Sequence, residues 1–165
     1  MFGKLFGKKV HSKEQVIMAP LSGTLRQLEE VPDPVFAGKM VGEGIAIEPS
    51  EGIVVAPFDG EIVQLFPTKH AIGLRNASGL EVLIHIGLET VSLQGEGFEA
   101  FVKQGDHVKM GDKLITFDMT IINDKASSAI TPVVLTNGDA VKSFDISNET
   151  TVIAGQSTVM TVHLN

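Results

Sequence analysis

Runs of Val, Ile, Leu and Phe recur from about Gln15 onward, and Gly, Pro, Asn or Asp cuts each of them short. Gly44-Ile45-Ala46-Ile47-Glu48, Gly52-Ile53-Val54-Val55-Ala56, Leu80-Glu81-Val82-Leu83-Ile84-His85-Ile86 and Thr150-Thr151-Val152-Ile153 are such runs. β-Branched residues favour extended backbone, and the interruptions supply tight turns. The pattern predicts an all-β domain, an antiparallel sandwich or flattened barrel. Helical periodicity is confined to residues 97–104 and 120–127, each long enough for one or two turns.

An internal echo points to a duplicated β motif. Ala19-Pro20-Leu21-Ser22-Gly23-Thr24-Leu25-Arg26-Gln27-Leu28 resembles Ala56-Pro57-Phe58-Asp59-Gly60-Glu61-Ile62-Val63-Gln64-Leu65. In both, a Pro-led entry precedes a Gly turn and a strand. A tandem pair, Gly105-Asp106 and Gly111-Asp112, flanks a short predicted strand and suggests a chain doubling back.

The chain has 165 residues, 43% of them hydrophobic, which supplies the core of one domain. A basic tail over residues 1–14 and a single domain over 15–165 are expected. There is no Cys, so disulfides, thiolate metal sites and cysteine nucleophiles are excluded. No apolar run approaches the roughly 20 residues of a membrane-spanning helix. The start lacks the pattern of a secretory signal, so a cytoplasmic location is the expectation. Four lysines and no acids occupy the first 13 residues, leaving 9 basic against 20 acidic residues in the rest. With two arginines and no Trp or Tyr, that acidic body is unsuited to nucleic acid. In the tail, Phe2, Leu5 and Phe6 lie opposite Lys4, Lys8 and Lys9. Such a short amphipathic pattern suits weak peripheral contact with the inner face of an anionic membrane.

Of five histidines, His11, His107 and His163 read as surface residues. His70 and His85 flank a predicted hairpin whose turn lies at residues 76–79. A two- or four-residue loop there sets the two histidines directly opposite, with Cβ atoms about 4.5–5.5 Å apart. A three-residue loop would put them on opposite faces. Facing imidazoles could form a zinc site, an acid–base pair, a phosphohistidine with its assistant, or two satisfied core residues. Zinc would need a further ligand, and spacing does not select one from His107 and the acids. Val35 and Phe36 in a Pro-bearing turn, Phe66 before His70, and Ile86 and Val91 after His85 could form an apolar docking rim.

These segments resemble the glucose-class IIA component of the bacterial phosphoenolpyruvate-dependent sugar phosphotransferase system, over roughly residues 15–163. The resemblance rests on Ala19-Pro20-Leu21-Ser22-Gly23, Val31-Pro32-Asp33-Pro34-Val35-Phe36-Ala37, Val41-Gly42-Glu43-Gly44 and Thr68-Lys69-His70-Ala71. Its most specific part is Leu83-Ile84-His85-Ile86-Gly87-Leu88-Glu89-Thr90-Val91, followed by Gly95-Glu96-Gly97-Phe98 and Thr131-Pro132-Val133-Val134.

The resemblance implies an antiparallel sandwich with little helix and a phosphotransferase relay without cofactor. It makes His85 the phosphoacceptor through Nε2, His70 the phosphate-stabilising partner and Thr68 the residue that orients His70. Asp33 becomes a rim acid, and Glu89 stands where many relatives carry Asp. The implied partners are the histidine phosphocarrier protein as donor and the IIB domain of a membrane sugar transporter as acceptor. Regulatory partners are a further role, since phosphorylation changes surface charge by about −1.5 to −2. No metal is required, although His70 and His85 could ligate zinc adventitiously or with a partner. Neutral imidazole is nucleophilic at physiological pH, and a basic partner surface would complement the acidic body. Two rivals lack their key residues. A biotinyl or lipoyl carrier needs a modifiable Lys where Leu114-Ile115-Thr116-Phe117-Asp118-Met119-Thr120 has none, and a zinc peptidase of related motif needs His-x-His where His85-Ile86-Gly87 stands.

Overall fold

The structure, a computed structural model, describes residues 13–165. The expectations for the amphipathic pattern and His11 lie outside the described residues. In chain order the first strands are β1 (Glu14–Met18), β2 (Gly23–Gln27), β3 (Glu43–Pro49), β4 (Ile53–Val55), β5 (Gly60–Leu65), β6 (Ala71–Arg75) and β7 (Glu81–His85). There follow β8 (Phe98–Ala100), β9 (His107–Val108), β10 (Lys113–Phe117), β11 (Thr131–Leu135), β12 (Val141–Ile146), β13 (Thr151–Val152) and β14 (Thr158–Leu164). Two short helices, α1 (Pro34–Ala37) and α2 (Met119–Lys125), lie among them. An eight-stranded sheet runs β13-β2-β3-β11-β7-β6-β5-β9, beside three-stranded sheets β1-β14-β12 and β4-β10-β8. The result is the antiparallel sandwich expected from the sequence, and its sheets are unclosed.

The large sheet buries apolar residues on both faces. Alternation along β7 sends Val82 and Ile84 into the main core, with Ile17, Ile62, Ile72 and Leu114. Each such buried side chain contributes roughly 1.5–3 kcal/mol. Leu83 joins a smaller cluster of Leu28, Val31, Phe36, Leu88 and Val134. α1 supplies Phe36 to that cluster, while Asp33 caps the helix by accepting from Val35 N at 2.9 Å. Pro34 stands at the first helical position, where its missing N–H costs nothing.

The sequence echo has a structural counterpart. Met18 N donates to Pro57 O at 3.0 Å and Val55 N donates to Pro20 O at 2.8 Å, so the two Ala-Pro corners exchange equivalent bonds. Ala19 O accepts from Gly155 N and Ala56 O from Gly111 N, each at 2.9 Å. The Gly-Asp turns also repeat, with Asp106 accepting from Lys103 N and Asp112 from Lys109 N, each at 2.9 Å. Between those turns lies β9, paired with β5.

Three expectations require correction. Residues 97–104 are not helical, because Phe98–Ala100 is strand β8 and Phe98 pairs with Phe117 of β10. Residues 119–125 do form α2, capped by Asp118 accepting from Thr120 N and Ile121 N. Strand pairing begins inside the expected tail, since Glu14 opens β1 and Lys13 O accepts from Leu164 N at 2.7 Å. The third correction concerns the hairpin. Asn76 N donates to Leu80 O, leaving the three-residue loop Ala77-Ser78-Gly79. Asn76 Oδ1 accepts from Ser78 N and Leu80 N, and Gly79 takes φ +91°, which selects that loop. His85 therefore pairs with Ala71 rather than His70.

Candidate active site

The histidines meet despite the shifted register. His70 is the residue before β6, and its carbonyl accepts from Ile86 N at 2.7 Å. Strand alternation does not extend to it. The preceding turn closes with Lys69 N donating to Phe66 O at 2.8 Å, and Lys69 takes a left-handed φ of 61°. That turn brings the His70 ring to a centroid distance of 5.0 Å from His85, nearly perpendicular at 80°. Phe66 lies edge-on to His70 at 5.3 Å, and Phe36 packs against His85 at 4.9 Å.

Each ring has one nitrogen fixed. His85 Nδ1 donates to Gly87 O at 2.8 Å. A carbonyl only accepts, so the neutral His85 carries its proton on Nδ1 and keeps the Nε2 lone pair. His70 Nδ1 is hydrogen-bonded to Thr68 Oγ1. With the Thr68 hydroxyl donating, His70 carries its proton on Nε2 and becomes a donor.

Burial disfavours the charged form of both rings. It pushes the His70 pKa down to about 4, helped by the neighbouring His85. His85 is also held below the ordinary value by burial, against the opposing pull of the Gly87 carbonyl and the Asp33 charge. Between pH 6.5 and about 4 the unfolded chain therefore binds more protons at His70 than the folded one does. Stability should fall as pH drops through that window. Urea midpoints at pH 7.5 and 4.5 should converge in His70→Gln relative to the parent. An unchanged gap would show that His70 does not contribute to it.

Val35 and Val91 are 45% and 55% exposed, Phe36 is buried beneath its ring contact, and Phe66 is half-buried. Ile86 does not join the rim. It is fully buried in the main core, because strand pairing to His70 continues one residue beyond β7. Glu89 is exposed and left-handed at φ 59°, a conformation that a short Asp side chain adopts more readily. Two features escaped the sequence reading. Met40 is 76% exposed, and its N–H donates to Val35 O at 3.0 Å beside α1. Gly87, whose carbonyl fixes the His85 tautomer, was signalled only by its place two residues after the histidine.

Gly87 has φ +70°, and an added Cβ would lie 2.8 Å from both Ser128 O and Thr90 Cγ2. Gly87→Ala should cost about 1–3 kcal/mol, read as a lowered urea midpoint. An unchanged midpoint would show that this turn relaxes freely. The other described histidines lie apart from the pair. His107 sits opposite Glu61 at the far end of β6's partner strand, and His163 lies 3.3 Å from Asp145 on β12. Among the described residues, no third His, Asp or Glu gathers with His70 and His85 in a metal-binding group.

Residues 15–141 match the family model described as phosphoenolpyruvate-dependent sugar phosphotransferase system, EIIA 1. The chain is 57% identical over 162 residues to the PTS system glucose-specific EIIA component of Bacillus anthracis, covering 98% of each chain. It is 51% identical over 166 residues to the Staphylococcus aureus (strain N315) protein of the same name, covering 100% of each. The glucose permease IIA structure from Mycoplasma capricolum aligns with a TM-score of 0.85 at 42% identity, covering 90% of this chain and 96% of that one.

Proposed function

The chain belongs to the EIIA 1 family of the phosphoenolpyruvate-dependent sugar phosphotransferase system, and we propose that it carries phosphate on His85 Nε2. As a glucose-class member it is a phosphocarrier in sugar uptake, receiving phosphate from the histidine phosphocarrier protein and passing it to a IIB domain. The observation that carries the assignment is the His85 Nδ1–Gly87 O bond, which leaves Nε2 as the free nucleophilic nitrogen.

In the proposed step, the Nε2 lone pair attacks phosphorus of the incoming phosphohistidine. The donor's P–N bond breaks and its electron pair returns to the donor imidazole. The phosphorylated His85 ring gains positive character at Nδ1–H, and the Gly87 carbonyl stabilises it there. His70 Nε2–H donates to the phosphoryl oxygens, while Thr68 holds that ring's orientation. The new negative charge beside His70 also favours its protonation. Little else is required, because phosphoryl transfer depends on positioning and charge stabilisation. Val35, Val91 and Phe66 form the docking surface, with Asp33 at its edge. Among the described residues, no helix is long and apolar enough to cross a membrane.

The test is an in vitro relay with phosphoenolpyruvate, Enzyme I and the histidine phosphocarrier protein. One acid-labile, alkali-stable phosphate located on His85 is the expected product. An acid-stable phosphate, or one on another residue, would overturn the assignment.

A further inference from the structure

Among the described residues, the buried polar side chains are His70, Thr90 and Thr131, and the last two are fully buried. Both threonines converge on one peptide unit. Thr90 Oγ1 donates to Ile86 O at 2.6 Å. Gly87 N, the other end of that peptide, donates to Thr131 Oγ1 at 3.3 Å. The Thr131 hydroxyl proton goes to Ala129 O at 3.0 Å. The next peptide unit is also fixed, because Leu88 N donates to Ser128 O at 2.9 Å while Gly87 O accepts from His85 Nδ1. Glycine at φ +70° could otherwise let the Gly87 carbonyl swing away.

We propose that Thr131 and Thr90 are positioning residues for phosphoryl transfer. Their hydroxyls hold the Ile86–Gly87 peptide so that Gly87 O faces His85 Nδ1 and the reactive lone pair stays on Nε2. The burial of the Thr131 hydroxyl favours this role over packing alone. Strand β11 is buried at all five positions, Thr131-Pro132-Val133-Val134-Leu135. Valine has nearly the same shape as threonine and incurs no cost for a buried hydroxyl. A hydroxyl here is useful because it accepts from Gly87 N and donates to Ala129 O at once. The proposal rests on His85 being the phosphoacceptor, but its effect on tautomer is independent of phosphate.

The experiment compares Thr131→Val, Thr131→Ser and the parent protein. Nitrogen-15 NMR of the unphosphorylated proteins reads which His85 nitrogen is protonated, and the relay reads kcat and KM for acceptance. The parent and Thr131→Ser should hold the proton on Nδ1. Thr131→Val should show a mixture with Nε2–H, and kcat for acceptance should fall about tenfold, as when a ligand's orienting partner is lost. KM for the donor should hold, since the docking surface is untouched. Thr90→Val should act in the same direction. A folded Thr131→Val with the parent's tautomer and kcat overturns the proposal. If that variant does not fold, the parent protein decides the matter. Its Gly87 amide should exchange slowly with solvent, and rapid exchange overturns the proposal. Phosphate found away from His85 in the parent would instead overturn the function assigned above and leave the tautomer measurement standing.

Discussion

His85→Ala is expected to reduce phosphate acceptance to background. The substitution removes the only imidazole in the pair with an unengaged basic nitrogen. His70 cannot substitute readily, because it is 4% exposed and its Nδ1 is bonded to Thr68. With the Thr68 hydroxyl as donor, its remaining nitrogen carries the proton and lacks a lone pair to attack with. The fold should survive, since His85 lies at the end of β7 and its loss removes a ring contact with Phe36 worth about 1 kcal/mol. The measurement is phosphate incorporation through the relay, alongside circular dichroism to confirm folding. Stoichiometric acid-labile phosphate on the folded variant would move the acceptor elsewhere.

Much of this arrangement is legible in the sequence because strands and turns are local. The run from Leu80 to Ile86 alternates correctly, and Pro and Gly mark the two echoing corners. Register is less accessible. The hairpin loop is set by Asn76 Oδ1 bonding two backbone amides and by Gly79 at φ +91°. A four-residue turn and a three-residue loop share the letters Asn-Ala-Ser-Gly, so composition alone does not separate them. The one-residue slip should have parted the histidines. It did not, because the Phe66–Lys69 turn ends the strand and re-aims His70. That compensation depends on a left-handed Lys69, which no propensity rule anticipates.

The helices show a similar division. Asp33-Pro34 is a capping pair that announces α1, yet the same letters also read as a turn. Residues 97–104 have helical spacing, but the partner strand β10 offers paired backbone, and pairing prevails. Ile86 illustrates the limit for function. It follows the phosphoacceptor candidate and is apolar, so a rim position is natural. Burial in the main core is decided by β6 and β11, which lie elsewhere in the chain. The threonines at 90 and 131 are 41 positions apart, and only the fold brings them to one peptide.

His70→Gln is expected to separate acceptance from donation. The nucleophile is untouched, so acceptance by His85 should persist with a modest loss. Onward transfer to a IIB domain should fall far more. As the P–Nε2 bond breaks, charge on the phosphoryl oxygens must be stabilised, and the imidazole can do so with a fixed N–H and with a proton gained in the phosphorylated state. Glutamine retains a donor but cannot titrate, and its amide is not held by Thr68 as the ring is. A loss of one charge-assisted bond of this kind is of the order of 10²–10³ in rate. Thr68→Ala should give a weaker form of the same defect, because the ring remains and only its orientation loosens. Acceptance and donation are timed separately, with phospho-protein isolated before addition of the IIB domain. Equal slowing of both steps in His70→Gln would show that His70 serves docking or folding rather than the departing phosphoryl group. Acceptance lost in His70→Gln but retained in His85→Ala would reverse the two assignments, with His70 the nucleophile and His85 its assistant.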